Sequence, residues 1–536
     1  MTSPGNALSE NLCRPKVNLY WTNRNYGVDL DLQNGGAIAE RTTQDGQRGF
    51  FVMAWKNRLL AGAALTAIAW PGLAAAQDEN ARIQALEAQV EALAQQIADL
   101  KAQSAASVAA VRADALATTA SIPNGKPTIA SADGKFSATL HGVMQLDAAK
   151  YFQDDTLPTA VTVRDLNSGT NFRRARIGVD GKVFGDFDYN ILFDFGGSGA
   201  EDAGRVQELW VQYSGFKPLR FRVGAFAPPL GLEDAASTNG ALFPERPAAA
   251  DIARGLAGGD TRIGAGVIGN GDHWFASAIV TGALVSSFNS TATAFNPAVS
   301  DEQLGYALRV AGTPLHGYDW LVHVGANASV IAQPADAGAT AAPRYGVQLR
   351  ERPELRVDGT RLVDTGAIDA AGARAFGVEL AFQRRNLLVQ GEYFDIEVDR
   401  RNPAANLSDP KFSGWYVEGG WVITGEARKY NTATAAFDAP AVAKPFDPRK
   451  RQWGAWELAG RYSTIDLNAN ENSVVAANRV RGGEQTIWSV GLNWFPNPAV
   501  KLMFDFQDVS IDRLNAAGAS LDQDYQSINI RSQVAF

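Results

Sequence analysis

What most limits the folds open to this chain is a two-residue alternation of apolar and polar side chains that starts after Gly134 and holds to the last residue, Phe536. A period of two sends successive side chains to opposite faces of a β-strand. Here one face is greasy and the other ionic. Ala175, Ile177 and Val179 alternate with Arg174, Arg176 and Asp180, while Leu219, Phe221, Val223 and Ala225 alternate with Arg220 and Arg222. Phe187, Tyr189, Ile191, Phe193 and Phe195 stand against Asp186, Asp188, Asn190 and Asp194. Near the C-terminus Val500, Leu502, Phe504 and Phe506 oppose Lys501, Asp505 and Gln507, and Ile528, Ile530, Val534 and Phe536 repeat the pattern.

A soluble β-sandwich alternates as well. Three features favour a membrane barrel instead. The runs last about 10 to 14 residues, beyond the usual five or six and long enough to cross a bilayer when tilted. Aromatic residues crowd their ends, where interfacial girdles belong. The chain also stops at the end of a strand, where pairing with the first strand removes both open edges. The expected strands are 136–149, 171–183, 185–196, 205–215, 219–227, 261–270, 273–285, 303–314, 318–328, 373–383, 386–397, 411–424, 451–465, 483–495, 498–511 and 522–536. The fold class is therefore all-β: a 16-stranded antiparallel transmembrane β-barrel, preceded by a coiled-coil helix. Tight connections such as Phe184-Gly185 and Arg384-Arg385 alternate with long ones, as in barrels whose short turns face the periplasm. Gly425 to Lys450 breaks that rule by being long on the short-turn side.

Upstream, Met53 to Arg58 is basic, Leu59 to Trp70 apolar, and Ala74 to Ala76 offers small residues for cleavage. That order reads as a secretory signal peptide at 53–76, with Met53 the expected true start and 1–52 an upstream extension read in frame. The alternative is an N-terminal domain followed by a buried apolar helix. Ile83, Leu86, Val90, Leu93, Ile97 and Leu100 then recur at steps of three and four, a heptad seam that places a coiled coil at 77–103. Residues 104–133, rich in Ala, Ser and Thr, read as linker, and 134–536 as the barrel.

The net charge of −8 argues against nucleic acid as a partner, which needs a basic surface. The lone cysteine, Cys13, leaves the rest of the chain without disulfides or a thiolate metal site. His141, His273, His316 and His323 include no i, i+4 pair, and neither a nucleophile elbow nor a phosphate-binding glycine loop is present. No metal, cofactor or catalytic residue is expected.

The segments Phe172–Gly178, Val223–Glu233, Gly414–Glu426, Gly454–Ser463 and Gly491–Pro498 together resemble the phosphate-selective porin O and P family, over roughly Gly134 to Phe536. The resemblance implies a homotrimer in the bacterial outer membrane, a third loop folded into the lumen at Pro228 to Asp260, and passive passage of phosphate, polyphosphate or similar anions. Guanidinium groups suit that task, because their planar fork donates bidentately to an oxyanion. The expected pore-lining anion contacts are Arg174, Arg176, Arg220, Arg222, Arg309, Arg461 and Lys501 on the barrel wall, with Arg246 and Arg254 in the inserted loop. Lys182 and Arg531 share the lumen parity. The competing expectation is that these cations pair with lumen carboxylates such as Asp188, Asp194, Glu208, Glu418 and Glu457 and only stiffen the barrel. From Gln77 onward the chain holds 11 Lys against 31 Arg and a net acidic balance, so a general pore or a porin for another solute stays open. So does a structural or adhesive outer-membrane protein whose coiled coil touches the cell wall.

Overall fold

The computed structural model describes residues 78–116, 118–153, 165–197, 204–259, 261–285, 301–404 and 406–536. The expected extension, signal peptide and Met53 start lie outside the described residues. Two units divide the chain, Met1–Ala92 and Leu93–Phe536. The described part of the first is helical.

Sixteen strands close one antiparallel barrel. In chain order they are β1 (Ser137–Gln153), β2 (Gly169–Val183), β3 (Phe187–Asp194), β4 (Arg205–Tyr213), β5 (Leu219–Phe226), β6 (Arg262–Asn270), β7 (Trp274–Leu284) and β8 (Leu304–His316). β9 (Trp320–Gln333), β10 (Ile368–Arg384), β11 (Leu387–Arg400), β12 (Lys411–Val422), β13 (Ala455–Ala469), β14 (Val480–Asn497), β15 (Val500–Asp512) and β16 (Gln523–Ala535) complete it. Each strand pairs with the next, and β16 pairs back onto β1 from Tyr525↔Gln153 to Ala535↔Val143. Among the described residues no edge of the sixteen-stranded wall is left open, which a bilayer interior demands because it offers lipid-facing amides no other partner. Several strands outrun the expected bounds at the long-loop end, β10 and β13 among them. Ladder hydrogen bonds need no alternation, so they continue where the apolar belt has ended.

Burial is inverted relative to a soluble protein. On β10 Phe376, Val378, Leu380 and Phe382 are exposed, while Glu379 and Gln383 at the alternate positions are buried. On β15 Phe504 and Phe506 face out, and Asp505 and Gln507 face in. The tight turn between β2 and β3 sets Phe184 and Gly185 at φ 54° and 82°, the paired positive angles that match the twist of the flanking strands.

Three segments fill much of the lumen. Residues 227–261 carry α2 (Leu232–Ala235) and α3 (Ala248–Gly255), and α3 packs on β10 through β13. Its Ala249, Ile252 and Ala253 join Leu355, Leu362 and Val363, from the connection between β9 and β10, in one apolar cluster with wall residues Phe394, Ile396, Phe412 and Ile465. From the opposite end the segment between β12 and β13 forms a hairpin of Arg428–Asn431 with Ala436–Pro440. Its Ala435, Ala436 and Phe437 pack on Phe226, Leu230, Phe275 and Leu388. The long connection that broke the turn rule is thus accounted for: it folds inward.

The helix α1 runs Asp78–Leu116, with Ile83, Leu86, Val90, Leu93, Ile97 and Leu100 between 52% and 64% exposed. Of the stretch read as linker, 104–116 continues this helix. A hairpin of Thr118–Ser121 with Thr128–Ser131 follows and extends the barrel sheet through Thr128↔Thr139.

Candidate functional site

Between β2, β4 and β5 and the inserted loop 227–261 lies a cavity of about 380 Å³ whose lining includes nine arginines, Arg173, Arg174, Arg176, Arg205, Arg220, Arg222, Arg246, Arg254 and Arg356, against two carboxylates, Glu208 and Asp234. Six of the nine sit on strands, where the ladder fixes their direction. Arg173 and Arg174 both turn inward because a β-bulge opposite Gln145/Leu146 slips the register by one residue, leaving Arg174 across from Gln145 and Phe172 across from Leu146. A bulge lets two consecutive side chains share a face. Strict alternation had kept Arg174 and discarded its neighbour.

The arginines divide by partner. Arg173 grips Glu245 bidentately at 2.5 and 2.8 Å. Arg176 reaches Asp194 at 2.9 Å, and Arg205 reaches the same carboxylate at 3.4 Å. Arg246 and Arg254 lie 3.5 and 3.3 Å from Asp234, and Arg254 and Arg356 hold Asp251 at 2.7 and 2.8 Å. The hydrogen bonds of the other three go to neutral acceptors. Arg174 donates to the Gln145 carbonyl at 2.6 Å. Arg220 donates to Asn270 Oδ1 at 2.7 Å and to Ala433 O at 3.5 Å. Arg222 donates twice to Gln212 Oε1 and stacks 3.9 Å above the Trp210 ring. Positive charge in the cavity therefore exceeds what its immediate neighbours neutralise.

Glu245 is the pivot of the inserted loop. Burial alone would raise its pKa, but Arg173, Arg356 and Arg531 together hold it well below the usual carboxylate range. Asp251 is depressed in the same way, with Arg254 and Arg356 overriding its burial.

Arg309, Arg461 and Lys501 stand elsewhere. Arg309 is sealed against Glu379 at 2.8 Å and donates to Thr434 O and Ala435 O at the tip of the 428–440 hairpin. Arg461 lies 2.6 Å from Glu354 and donates to Glu245 O at 2.9 Å. Lys501 Nζ donates to Ala241 O at 2.5 Å. Arg531 bridges Asp147 and Glu245 at 2.6 and 2.9 Å. Lys182 pairs with Asp188 at 2.6 Å on a half-exposed flank.

A second cavity of about 260 Å³ adjoins the first toward the long-loop end, sharing Arg254 and Arg356 and adding Arg262, Arg350, Arg352 and Arg361, with Asp251 and Glu351 as its carboxylates. Burial, with Asp251 close by, pushes Glu351 up to about 7. The sequence reading missed Arg205, whose side was not assigned, and Arg350 to Arg361, whose connection gave no sign of folding inward. Arginine density between 350 and 361 was the one available signal.

Among the described residues one acidic trio, Glu397, Asp399 and Asp409, is close enough to share a cation. Arg374 already meets Glu397 at 2.6 Å and Asp399 at 2.9 Å, so its charge is largely taken up. His323 is buried between Glu379 and Tyr430 at 3.1 and 2.9 Å, part of the clamp around Arg309.

The sequence has relatives among known proteins. Porin O of Pseudomonas aeruginosa is 28% identical over 422 residues, covering 74% of this chain and 88% of that protein. An uncharacterised protein of Caulobacter vibrioides is 26% identical over 420 residues, 75% of this chain and 76% of its own. Among solved structures, the anion-selective porin from Comamonas acidovorans aligns over 74% of this chain and 99% of its own, at 11% identity and a TM-score of 0.41. The model of the phosphate-selective porin O and P family matches residues 145–536, nearly three-quarters of the sequence, and the chain belongs to that family.

Proposed function

We propose that the chain conducts small anions of the phosphate class through the arginine-lined cavity. Family membership makes it a porin of the bacterial outer membrane, a channel rather than an enzyme. The observation that carries the anion reading is the nine-to-two ratio of arginines to carboxylates in the cavity lining, in a chain whose total charge is acidic. An anion entering a narrow passage sheds water, and the guanidinium groups supply donors and charge in exchange. Arg174, Arg220 and Arg222, bonded to neutral acceptors, are the primary contacts. Arg176, Arg246 and Arg254 add field while also serving Asp194, Asp234 and Asp251. Arg309, Arg461 and Lys501 act as fasteners of the inserted segments.

Three copies assemble through a barrel flank, and α1 adds a second contact through its exposed heptad seam. Residues 77–103 are its coiled coil, and the mature protein starts near Gln77 after removal of 53–76. Mass spectrometry of the purified N-terminus checks this, and retention of 1–52 would end it. The transport reading is tested by single-channel recording across a potassium chloride gradient. A reversal potential on the chloride side is expected, and block of the chloride current by phosphate. A channel that prefers potassium refutes the reading.

A further inference from the structure

The cavity is chemically two-faced. Its barrel wall presents Arg174, Arg176, Arg205, Arg220 and Arg222, with Gln207 and Glu208 among them. The inserted loop contributes more carbon: Ala227, Pro228 and Pro229, then Ala235 and Ala236. Two of these residues are prolines and have no N–H to donate, and the Ala235 amide is spent on Gly231 O at 3.2 Å. Of the loop's own guanidinium groups, Arg254 is engaged by Asp234 and Asp251, while Arg246 Nε lies 3.5 Å from Asp234 without a hydrogen bond to it. Ser237 and Thr238 are the hydroxyl residues of that wall, and the Ser237 oxygen accepts the Gly240 N–H at 3.0 Å. Ile268 and Phe275 add further carbon to the lining.

A bare oxyanion is polar on every side and needs donors all round to replace its water. Here most of the donors lie on one flank, and methyl and pyrrolidine groups cover much of the other. At about 380 Å³ the cavity also falls within the range of small-molecule sites, about 300–1,000 Å³, far more than an ion of five heavy atoms fills. An anion with a charged head and an apolar body satisfies both faces at once.

Resting on the anion reading above, we propose that the cavity prefers an organic phosphomonoester to inorganic phosphate, its phosphoryl head on Arg174, Arg220 and Arg222 and its apolar body along Ala227 to Pro229 and Ala235 to Ala236. The consequence is selection by body as well as charge.

The test uses the full-length channel in a planar bilayer carrying chloride current, with inorganic phosphate or phenyl phosphate added from the long-loop side. The pH is held well above the second ionisation of both, which for a phosphomonoester is about 6, so that charge is matched. Phenyl phosphate is expected to half-block at an about tenfold lower concentration, the ratio that removing one ring face from water supplies. Equal potency, or stronger block by phosphate, overturns the proposal while leaving an anion channel. Absence of block by either, together with a potassium-side reversal potential, overturns the anion reading itself. A second arm, Ala235→Asn with Ala236→Asn, gives the loop wall donors. The preference should shrink below about threefold, and an unchanged ratio in a channel that still conducts also refutes the assignment. Should that variant fail to assemble, the wild-type comparison alone decides.

Discussion

Arg174, Arg220 and Arg222 differ from their neighbours in one respect, the neutrality of their hydrogen-bond partners, and this sets what each substitution should do. Changing all three to Gln removes charge that no hydrogen-bonded carboxylate balances, so the reversal potential should move toward cations with the barrel intact. Each charge is partly desolvated and should count for about 1 kcal/mol, more than the median exposed pair. Unaltered selectivity in an assembled triple variant would mean these residues serve only the wall. Arg461 predicts the opposite. Both it and Glu354 are fully buried, and Arg461→Met strands Glu354 and Glu418 without their cation. Breaking a buried pair costs about 3–5 kcal/mol, visible as a lower unfolding temperature of the detergent-solubilised protein. Glu351 offers a pH dependence. Its carboxyl, raised to about 7 by burial and Asp251, is neutral below that pH and negative above it. It lines the outer arginine cavity, so anion preference should weaken as pH rises from 6 to 8, and Glu351→Gln should abolish the change.

Among the elements, the two that narrow the lumen were legible to different degrees. The loop 227–261 broke the alternation with Pro228, Pro229 and Gly231, and its departure from the wall could be read from that. The 428–440 hairpin was visible only as a length that violated turn parity. Its inward fold depends on Arg309 and Glu379, which lie on distant strands, and no local pattern encodes that contact. Strands were read well because a two-residue period is itself the structural signal. The Arg173 bulge was not, because a register slip is decided by the partner strand. Arg309→Met should release the hairpin tip by removing the donors to Thr434 and Ala435. The expected result is a severalfold rise in single-channel conductance, and unchanged conductance would place the hairpin off the conducting path. Removing Pro228 to Asp260 should raise it similarly, although loss of the apolar cluster under α3 will also lower thermal stability.

For the whole molecule, the inverted burial explains why length, charge and composition said so little while periodicity said so much. A barrel in lipid hides its charge inside, so an acidic total coexists with an arginine-lined cavity. In detergent the protein should run as a heat-sensitive trimer on unheated gels. Deleting 81–101 should lower its dissociation temperature and leave the monomer barrel folded; loss of the barrel itself would show that the helix does more than join copies. The closing seam carries one further implication, for time rather than shape. Arg531 on β16 is bound at once to Asp147 on β1 and to Glu245 of the inserted loop, so the last zippering of the wall and the seating of the loop draw on a single guanidinium. Maturation of the channel should then be one concerted step, with no long-lived wide-bore precursor. Stopped-flow refolding into vesicles, following dye leakage alongside strand closure, should show no burst of large-solute permeability before the final state.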